Sequence, residues 1–126
     1  VPVLRDIVRP VPQRDQSLDR RTDEKLRRGK MSIDARLDLH GMTQEEAYGA
    51  LQAFIGRQYD RGARCVLVIT GKGRARDSEG ILRQRAPEWL RTMAGAENIL
   101  RFYPAQKKDG GEGALYVLLR RNRPQT

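Results

Sequence analysis

The sequence has a single cysteine, few aromatic residues and no long hydrophobic run. The one cysteine, Cys65, excludes an intramolecular disulfide, and its place in an apolar run favours a buried thiol in a reducing compartment. The longest aliphatic run, residues 65–69, is far too short to cross a bilayer, and no secretory hydrophobic segment is visible. We therefore expect a cytoplasmic location without a membrane partner, while the start at Val1 leaves an upstream targeting segment open.

Positive charge is the clearest compositional excess. Lys and Arg total 25 against 16 Asp and Glu, which gives a net charge of +9 at pH 7. A balance this basic favours polyanionic partners, nucleic acid before an anionic membrane, although charge that only aids solubility is the alternative. Because aromatic residues make up only 6%, base stacking should be a minor contribution and sequence specificity should be low.

Three stretches of the chain differ in composition. Residues 1–32 form a basic tail with prolines and little hydrophobic periodicity, which predicts largely extended chain and a possible short helix at residues 19–28. We interpret this tail as a linker, with contact to phosphates as a secondary role. Residues 33–120 carry the folded domain, and residues 121–126 form a short basic C-terminal tail.

The first half of the domain has the pattern of a β-α-β unit. Residues 33–40 alternate apolar and polar side chains, which is typical of a half-buried strand. Thr43 then opens a helical repeat with the Thr-x-x-Glu form of a capping box. Residues 65–69 show no polar alternation, which indicates a strand buried on both faces, as in a parallel sheet.

The second half contains another helical repeat followed by two strands. Residues 99–103 and 114–119 have no helix between them, so they should pair antiparallel, joined by a flexible glycine-rich connection at residues 104–113. The whole order is β-α-β-α-β-β. We therefore predict an α/β fold, a compact two-layer sandwich with two helices packed on a four-stranded mixed sheet.

The candidate chemistry lies at two strand-to-helix junctions. Asp38 and His40 are two residues apart on the first strand, so they share one face at a spacing of roughly 7 Å. The second junction, residues 70–73, follows a strand that runs in the same direction. Both junctions should therefore meet at the carboxyl ends of the strands, where ligands usually bind in open α/β sheets.

Gly-Lys-Gly at residues 71–73 departs from a Walker A loop. That loop needs an earlier glycine, where Val66 stands, and a Ser or Thr after the lysine. Two glycines still let the backbone approach a phosphate closely, and Lys72, Arg74 and Arg76 add positive charge. We interpret the motif as a cradle for a backbone phosphate; the alternative is a plain turn with a solvated lysine.

His40 is the only histidine in the chain. A lone histidine at a strand end is often structural, but it can also move protons near neutral pH, and Asp38 could orient it. One histidine and one carboxylate are few ligands for a metal, and a structural zinc centre is not expected because the only cysteine, Cys65, is expected in the core. No cofactor is certain; Mg²⁺ or Mn²⁺ held mainly by substrate phosphates is compatible with these residues.

The two motifs together resemble a known family. Leu-Asp-Leu-His-Gly-Met-Thr at residues 37–43, followed by Val-Ile-Thr-Gly-Lys-Gly at residues 68–73, is similar to the Smr (small MutS-related) domain, over residues 33–120. The resemblance implies a four-stranded sheet with two helices, like the C-terminal domain of a bacterial translation initiation factor. It also implies association with endonuclease activity on DNA or RNA, and for some members a role in recombination control or on stalled ribosomes.

The resemblance also assigns residues. Asp38 and His40 become the catalytic pair. The second motif is expected to contact nucleic acid: Gly71, Lys72 and Gly73. Basic residues further out are expected to contact backbone phosphates: Arg74, Arg76, Arg101, Lys107 and Lys108. Some relatives carry a histidine where this chain has Thr70, so a two-histidine mechanism is unavailable here.

The function that we predict is endonucleolytic cleavage of structured or branched DNA, or of RNA, with little sequence specificity. A non-catalytic module that binds nucleic acid or the ribosome is the alternative, and a protein-interaction domain is a third hypothesis. The expected partners are DNA or RNA, with the ribosome as a further candidate. The sequence does not choose between DNA and RNA and leaves the oligomeric state open.

Overall fold

The computed structural model describes residues 16–71 and 77–122. Within those residues the chain forms three α-helices and four β-strands. In chain order they are α1 (Gln16–Arg27), β1 (Ala35–Asp38), α2 (Gln44–Asp60), β2 (Cys65–Ile69), α3 (Asp77–Thr92), β3 (Ile99–Pro104) and β4 (Ala114–Leu119). The predicted order is confirmed from β1 onward. The first part of the tail predicted to be extended, residues 1–15, and the last residues, 123–126, lie outside the described part.

The four strands form one mixed sheet in the order β1-β2-β4-β3. β1 pairs parallel with β2, whereas β4 pairs antiparallel with both β2 and β3, as predicted for the last two strands. β3 therefore runs in the same direction as β1 and β2. The segments that follow these three strands meet at one end of the sheet, which we call the carboxyl end (residues 38–43, 70–71 and 105–113).

One face of the sheet is covered by α2 and α3. The inward residues of α2 recur at helical spacing, and four apolar ones are buried: Ala47, Leu51, Phe54 and Ile55. Leu82 and Leu90 of α3 complete this layer, and the strands contribute Val66, Val68, Val117 and Leu119. This is the two-layer core that the hydrophobic pattern predicts, so the α/β fold class is confirmed.

The other face of the sheet is covered by α1, so the second part of the tail lies against the domain, as expected for the possible short helix. The possible helix at residues 19–28 is a longer helix that starts at Gln16, and Leu26 is only 1% exposed. Leu26 contacts a second cluster built from the central strands: Cys65, Leu67, Tyr116 and Leu118. The central strands β2 and β4 need a cover on both faces, and α1 supplies the second one.

The connection from β3 to β4, predicted as flexible, has regular structure. It contains two short 3₁₀ turns, Lys107–Asp109 and Gly111–Gly113. Between them Gly110 has φ +117°, a conformation that side chains with a Cβ rarely adopt. The backbone N–H of Ala105 donates to the Ala114 carbonyl, which closes the connection at its base.

Candidate functional site

β1 delivers Asp38 and His40 to the carboxyl end of the sheet. Leu39, between them, is fully buried under the helices, and its N–H donates to the Ile69 carbonyl of β2 at 2.7 Å. Because side chains alternate along a strand, burial of Leu39 turns Asp38 and His40 outward. Gly41, with φ +87°, then reverses the chain. The outward placement of both polar residues confirms the alternation read from the sequence.

Asp38 holds His40 through two contacts to one carboxylate oxygen. Oδ1 of Asp38 accepts a hydrogen bond from the His40 backbone N–H at 3.0 Å and lies 3.1 Å from Nδ1 of the His40 ring. Both side chains remain more than half exposed, at 54% and 58%. Since the carboxylate favours a proton on Nδ1, Nε2 of the neutral ring is unprotonated and can act as a base. The pair can therefore accept a proton from a group in solvent.

The helix after this junction begins with a complete capping box. The Glu46 N–H donates to the Thr43 hydroxyl at 3.1 Å, and the Thr43 N–H donates to the Glu46 carboxylate at 3.0 Å. This confirms the helix start read from the sequence. The two bonds fix the path of the chain directly after His40, so the orientation of the Asp38–His40 pair does not depend on a loose loop.

The second junction is anchored by Thr70, which is only 1% exposed. The N–H groups of Thr70 and Gly71 both donate to the Gly113 carbonyl, at 2.8 and 3.2 Å. The Thr70 hydroxyl donates to the Gly71 carbonyl at 3.1 Å and reaches Gly113 at 3.3 Å. Gly71 has φ +90°, which lets the chain turn away from the sheet. The start of the glycine motif is thus fixed to the turn before β4.

Four predicted contacts follow Gly71 directly, and they lie outside the described residues: Lys72, Gly73, Arg74 and Arg76. Their assignment as phosphate contacts stays a prediction. The positioning role of Thr70 was missed in the sequence, because its partner Gly113 is 43 positions away along the chain. A small polar residue directly before the glycine motif was the available signal.

The three outer cations lie in different surroundings. Lys107 is exposed on the first 3₁₀ turn, at the carboxyl end. Lys108 is next to it, and its Nζ donates to the Gly29 carbonyl at the end of α1, at 3.0 Å. Arg101 lies within β3, the edge strand opposite β1, and pairs with Asp23 of α1 at 2.8 Å. The structure therefore brings Lys107 and Lys108, but not Arg101, to the end that carries Asp38, His40 and Gly71.

The described residues do not form a resident metal centre. Within residues 16–71 and 77–122, no group of three or more His, Cys, Asp or Glu side chains is close enough to hold an ion. Cys65 is buried, as predicted, and burial raises the pKa of its thiol to about 11, which disfavours the thiolate that binds metals. Asp38 and His40 offer two donors, so a bound ion needs most of its ligands from elsewhere.

The comparisons with known proteins bear on the same region. The family model of the Smr domain matches residues 37–120, which span both junctions. This chain belongs to the Smr domain family. The match starts within β1, so α1 lies outside it.

The curated relatives of this Smr domain include ribosome rescue factors. It is 39% identical over 99 residues to "Ribosome rescue factor SmrB" of Tolumonas auensis, a match that covers 79% of this chain and 52% of that protein. The protein of the same name from Vibrio vulnificus is 41% identical over 96 residues, covering 76% of this chain and 50% of that protein. This chain spans about half the length of these curated relatives.

Two solved structures share the fold. YdaL, described as a stand-alone small MutS-related protein from Escherichia coli, superposes with a TM-score of 0.67 at 34% identity, covering 78% of this chain and 73% of that one. The Smr domain of Thermus thermophilus MutS2 gives a TM-score of 0.58 at 29% identity, covering 68% of this chain and 98% of that one. In the described part of the present chain, no helix is long and apolar enough to cross a membrane.

Proposed function

We propose that this Smr domain is a nucleic-acid-binding module that acts at the ribosome, with RNA as its ligand. The observation that carries this proposal is the similarity, at 39–41% identity over about three quarters of the chain, to proteins named ribosome rescue factor. Those names support the ribosome-binding alternative more directly than the predicted endonuclease. A ribosomal partner implies work in the cytoplasm.

The geometry of the carboxyl end supports a phosphate ligand. Gly41 and Gly71, both with positive φ, lie at the ends of neighbouring parallel strands and leave the backbone accessible there. Lys107 is exposed at the same end, and the sequence places Lys72 directly after Gly71. With a net charge of +9, binding should depend mainly on backbone phosphates and carry little sequence specificity.

The proposal is tested by titrating the protein against ribosomes and against a labelled single-stranded RNA over a series of salt concentrations. We expect affinity to fall steeply and linearly on a log–log plot, because phosphate contacts release counterions. Lys72→Ala should weaken binding, whereas Arg57→Ala, an exposed cation on the last turn of α2, should not. Absence of binding to both ligands at every salt concentration would contradict the proposal.

Endonucleolytic cleavage of RNA is a second candidate, favoured by the exposed Asp38–His40 pair. In this reaction Nε2 of His40 removes the proton of a 2′-hydroxyl, and the 2′-oxygen attacks the adjacent phosphorus. The bond to the 5′-oxygen breaks, that oxygen takes up a proton, and the products are a 2′,3′-cyclic phosphate and a 5′-hydroxyl. Asp38 acts as a positioning residue in this proposal, since its carboxylate holds the His40 ring through Nδ1.

Cleavage is tested with labelled RNA and ribosome-bound RNA, with and without a chelator. His40→Ala should bind as wild type does but cut roughly 10²–10⁴-fold more slowly, the usual contribution of a general base. Asp38→Asn should lower the rate by less. If His40→Ala cuts as fast as wild type, the assignment is wrong. If wild type binds and does not cut, the module is non-catalytic.

A further inference from the structure

α1 lies outside the residues matched by the family model, yet its C-terminal end reaches the carboxyl end of the sheet. Asp23 of α1 pairs with Arg101 of β3, and further along α1 the Arg27 carbonyl accepts from the Gln106 side chain at 3.0 Å. α1 therefore runs in the same direction as β3. Its last turn lies beside the 3₁₀ turn that carries Lys107 and Lys108.

The end of α1 is fixed by a Schellman motif. The Gly29 N–H donates to the Leu26 carbonyl at 3.0 Å, and the Lys30 N–H donates to the Lys25 carbonyl at 2.8 Å. Gly29 has φ +71°, the left-handed conformation that this motif needs. The helix end is consequently a defined structure and not a frayed one.

The same helix end is fastened to the connection between β3 and β4. Nζ of Lys108 donates to the Gly29 carbonyl, and the Gln106 N–H donates to the Tyr116 hydroxyl at 3.1 Å. That hydroxyl in turn donates to the Asp109 carboxylate. A Cβ on Gly29 would overlap the Tyr116 hydroxyl, so the packing admits only glycine there without a shift. α1 and the connection thus form one rigid surface.

The outer side of α1 presents a row of cations. Arg21, Lys25 and Arg28 are spaced by four and three residues, which places them on one helix face, away from the buried Leu26. All three are exposed, and the exposed Lys30 continues the row past the helix end. We call Arg21, Lys25, Arg28 and Lys30, together with Lys107, the α1 basic row.

Two acidic residues near the row are already engaged. Glu24 pairs with Arg27 and Arg28, the latter at 3.1 Å, and Asp109 accepts from Tyr116. The row therefore keeps an excess of positive charge on a backbone that needs no ordering when a ligand binds. Pre-organised cations lose less entropy on binding than mobile ones do, and an anionic polymer can contact several of them at once.

We propose that the α1 basic row is a second contact for the phosphate backbone of RNA, one that raises affinity without taking part in any step at His40. The inference rests on the proposed RNA-binding function and deepens it. An RNA strand bound at the carboxyl end of the sheet can continue past Lys107 onto α1, because the connection between β3 and β4 joins the two surfaces. Through this row, α1 contacts RNA although it lies outside the residues that the family model matches.

The test compares two double variants with the same change in net charge. Arg21→Gln/Lys25→Gln removes two cations of the row, and Arg57→Gln/Arg61→Gln removes two exposed cations at the opposite end of the sheet. Binding of a labelled single-stranded RNA of mixed sequence is measured over a salt series. The quantity compared is the slope of log affinity against log salt concentration. We expect the first variant to reduce the magnitude of this slope by about 1 to 2 and the control variant to leave it unchanged.

Four results are informative. A lower slope and a weaker affinity only in the α1 variant support the inference. Equal losses in both variants mean that only net charge matters and overturn it, as does an unchanged α1 variant while wild type binds. Failure of wild type to bind RNA overturns the proposed function as well. Because all four substituted residues are exposed, both variants should keep the wild-type thermal midpoint, and that measurement accompanies the titrations.

Discussion

The two faces of the sheet are closed by different kinds of contact. On the face of α2 and α3, the buried layer consists of aliphatic and aromatic side chains from both helices, from β2, β3 and β4, and from Leu39 directly after β1. On the face of α1, the buried Leu26 and a set of polar contacts from Asp23, Gln106 and Lys108 hold the helix. The first face should therefore determine whether the domain folds, and the second should determine whether α1 stays in place.

The face of α2 and α3 should show the largest effect on stability. Leu51→Ala removes a fully buried side chain and leaves a cavity in the main core, so the free energy of unfolding should fall by about 2–5 kcal/mol. Urea unfolding followed by circular dichroism measures this change. A loss below about 1 kcal/mol would show that this face is not the main core.

Leu26→Ala on the other face should have a smaller effect, about 2 kcal/mol, at the lower end of the range for a buried leucine. The loss is limited because detachment of α1 leaves the α2 and α3 core in place. Amide hydrogen exchange should become faster in α1 and change little in β2. Equal acceleration of exchange in both elements would mean that the two faces unfold as one unit, which would contradict the difference between them.

Gly29→Ala separates helix-end strain from packing on the α1 face. Gly29 has φ +71° and no room for a Cβ beside Tyr116, whereas Gly62 has φ +84° and open space around the same position. Gly62→Ala therefore reports strain alone, about 1 kcal/mol, and Gly29→Ala should lose about 1–2 kcal/mol more. Thermal unfolding measures both variants. Equal losses would show that the contact with Tyr116 does not matter.

Alkaline pH should also loosen the α1 face. Burial raises the pKa of Cys65 to about 11, and burial and the Asp23 hydrogen bond raise that of Tyr103 to about 12. Both groups belong to the α1 face. Their folded-state pKa values exceed the unfolded ones, so stability falls as pH rises. For Cys65 the loss runs from pH about 9 to about 11, and for Tyr103 from about 10 to about 12.

The measurement is the free energy of unfolding at a series of pH values from neutral to alkaline. Cys65→Ala removes the thiol and should flatten the decline that begins near pH 9. If the variant and wild type decline in parallel, the thiol makes no contribution to the pH dependence of the α1 face.

The face of α2 and α3 could be predicted because its signal is periodic. Leu51, Phe54 and Ile55 recur at helical spacing, and residues 65–69 are apolar without interruption, so the β-α-β unit and its direction follow. The outward placement of Asp38 and His40 follows from the same alternation. These inferences need only local pattern, and the structure confirms them.

The sheet face that α1 covers could not be predicted, because its contacts are sparse and distant in sequence. Leu18 and Leu26 are too sparse to give a strong apolar periodicity, and the hydrogen bond from Tyr103 to Asp23 joins residues 80 positions apart. The glycine at position 29, directly after two arginines, is a local signal for a helix end. The anchoring of Thr70 to Gly113 escaped detection for the same reason of distance.

The central claim is that RNA binds at the carboxyl end of the sheet. The most direct measurement is a titration of the ¹⁵N-labelled protein with single-stranded RNA, observing the glycine amides. We expect the amide signals of Gly41, Gly71 and Gly113 to shift, and those of Gly62 and Gly95, at the opposite end, to stay in place. Shifts confined to Gly62 and Gly95, or no shifts at RNA concentrations well above that of the protein, would contradict the account.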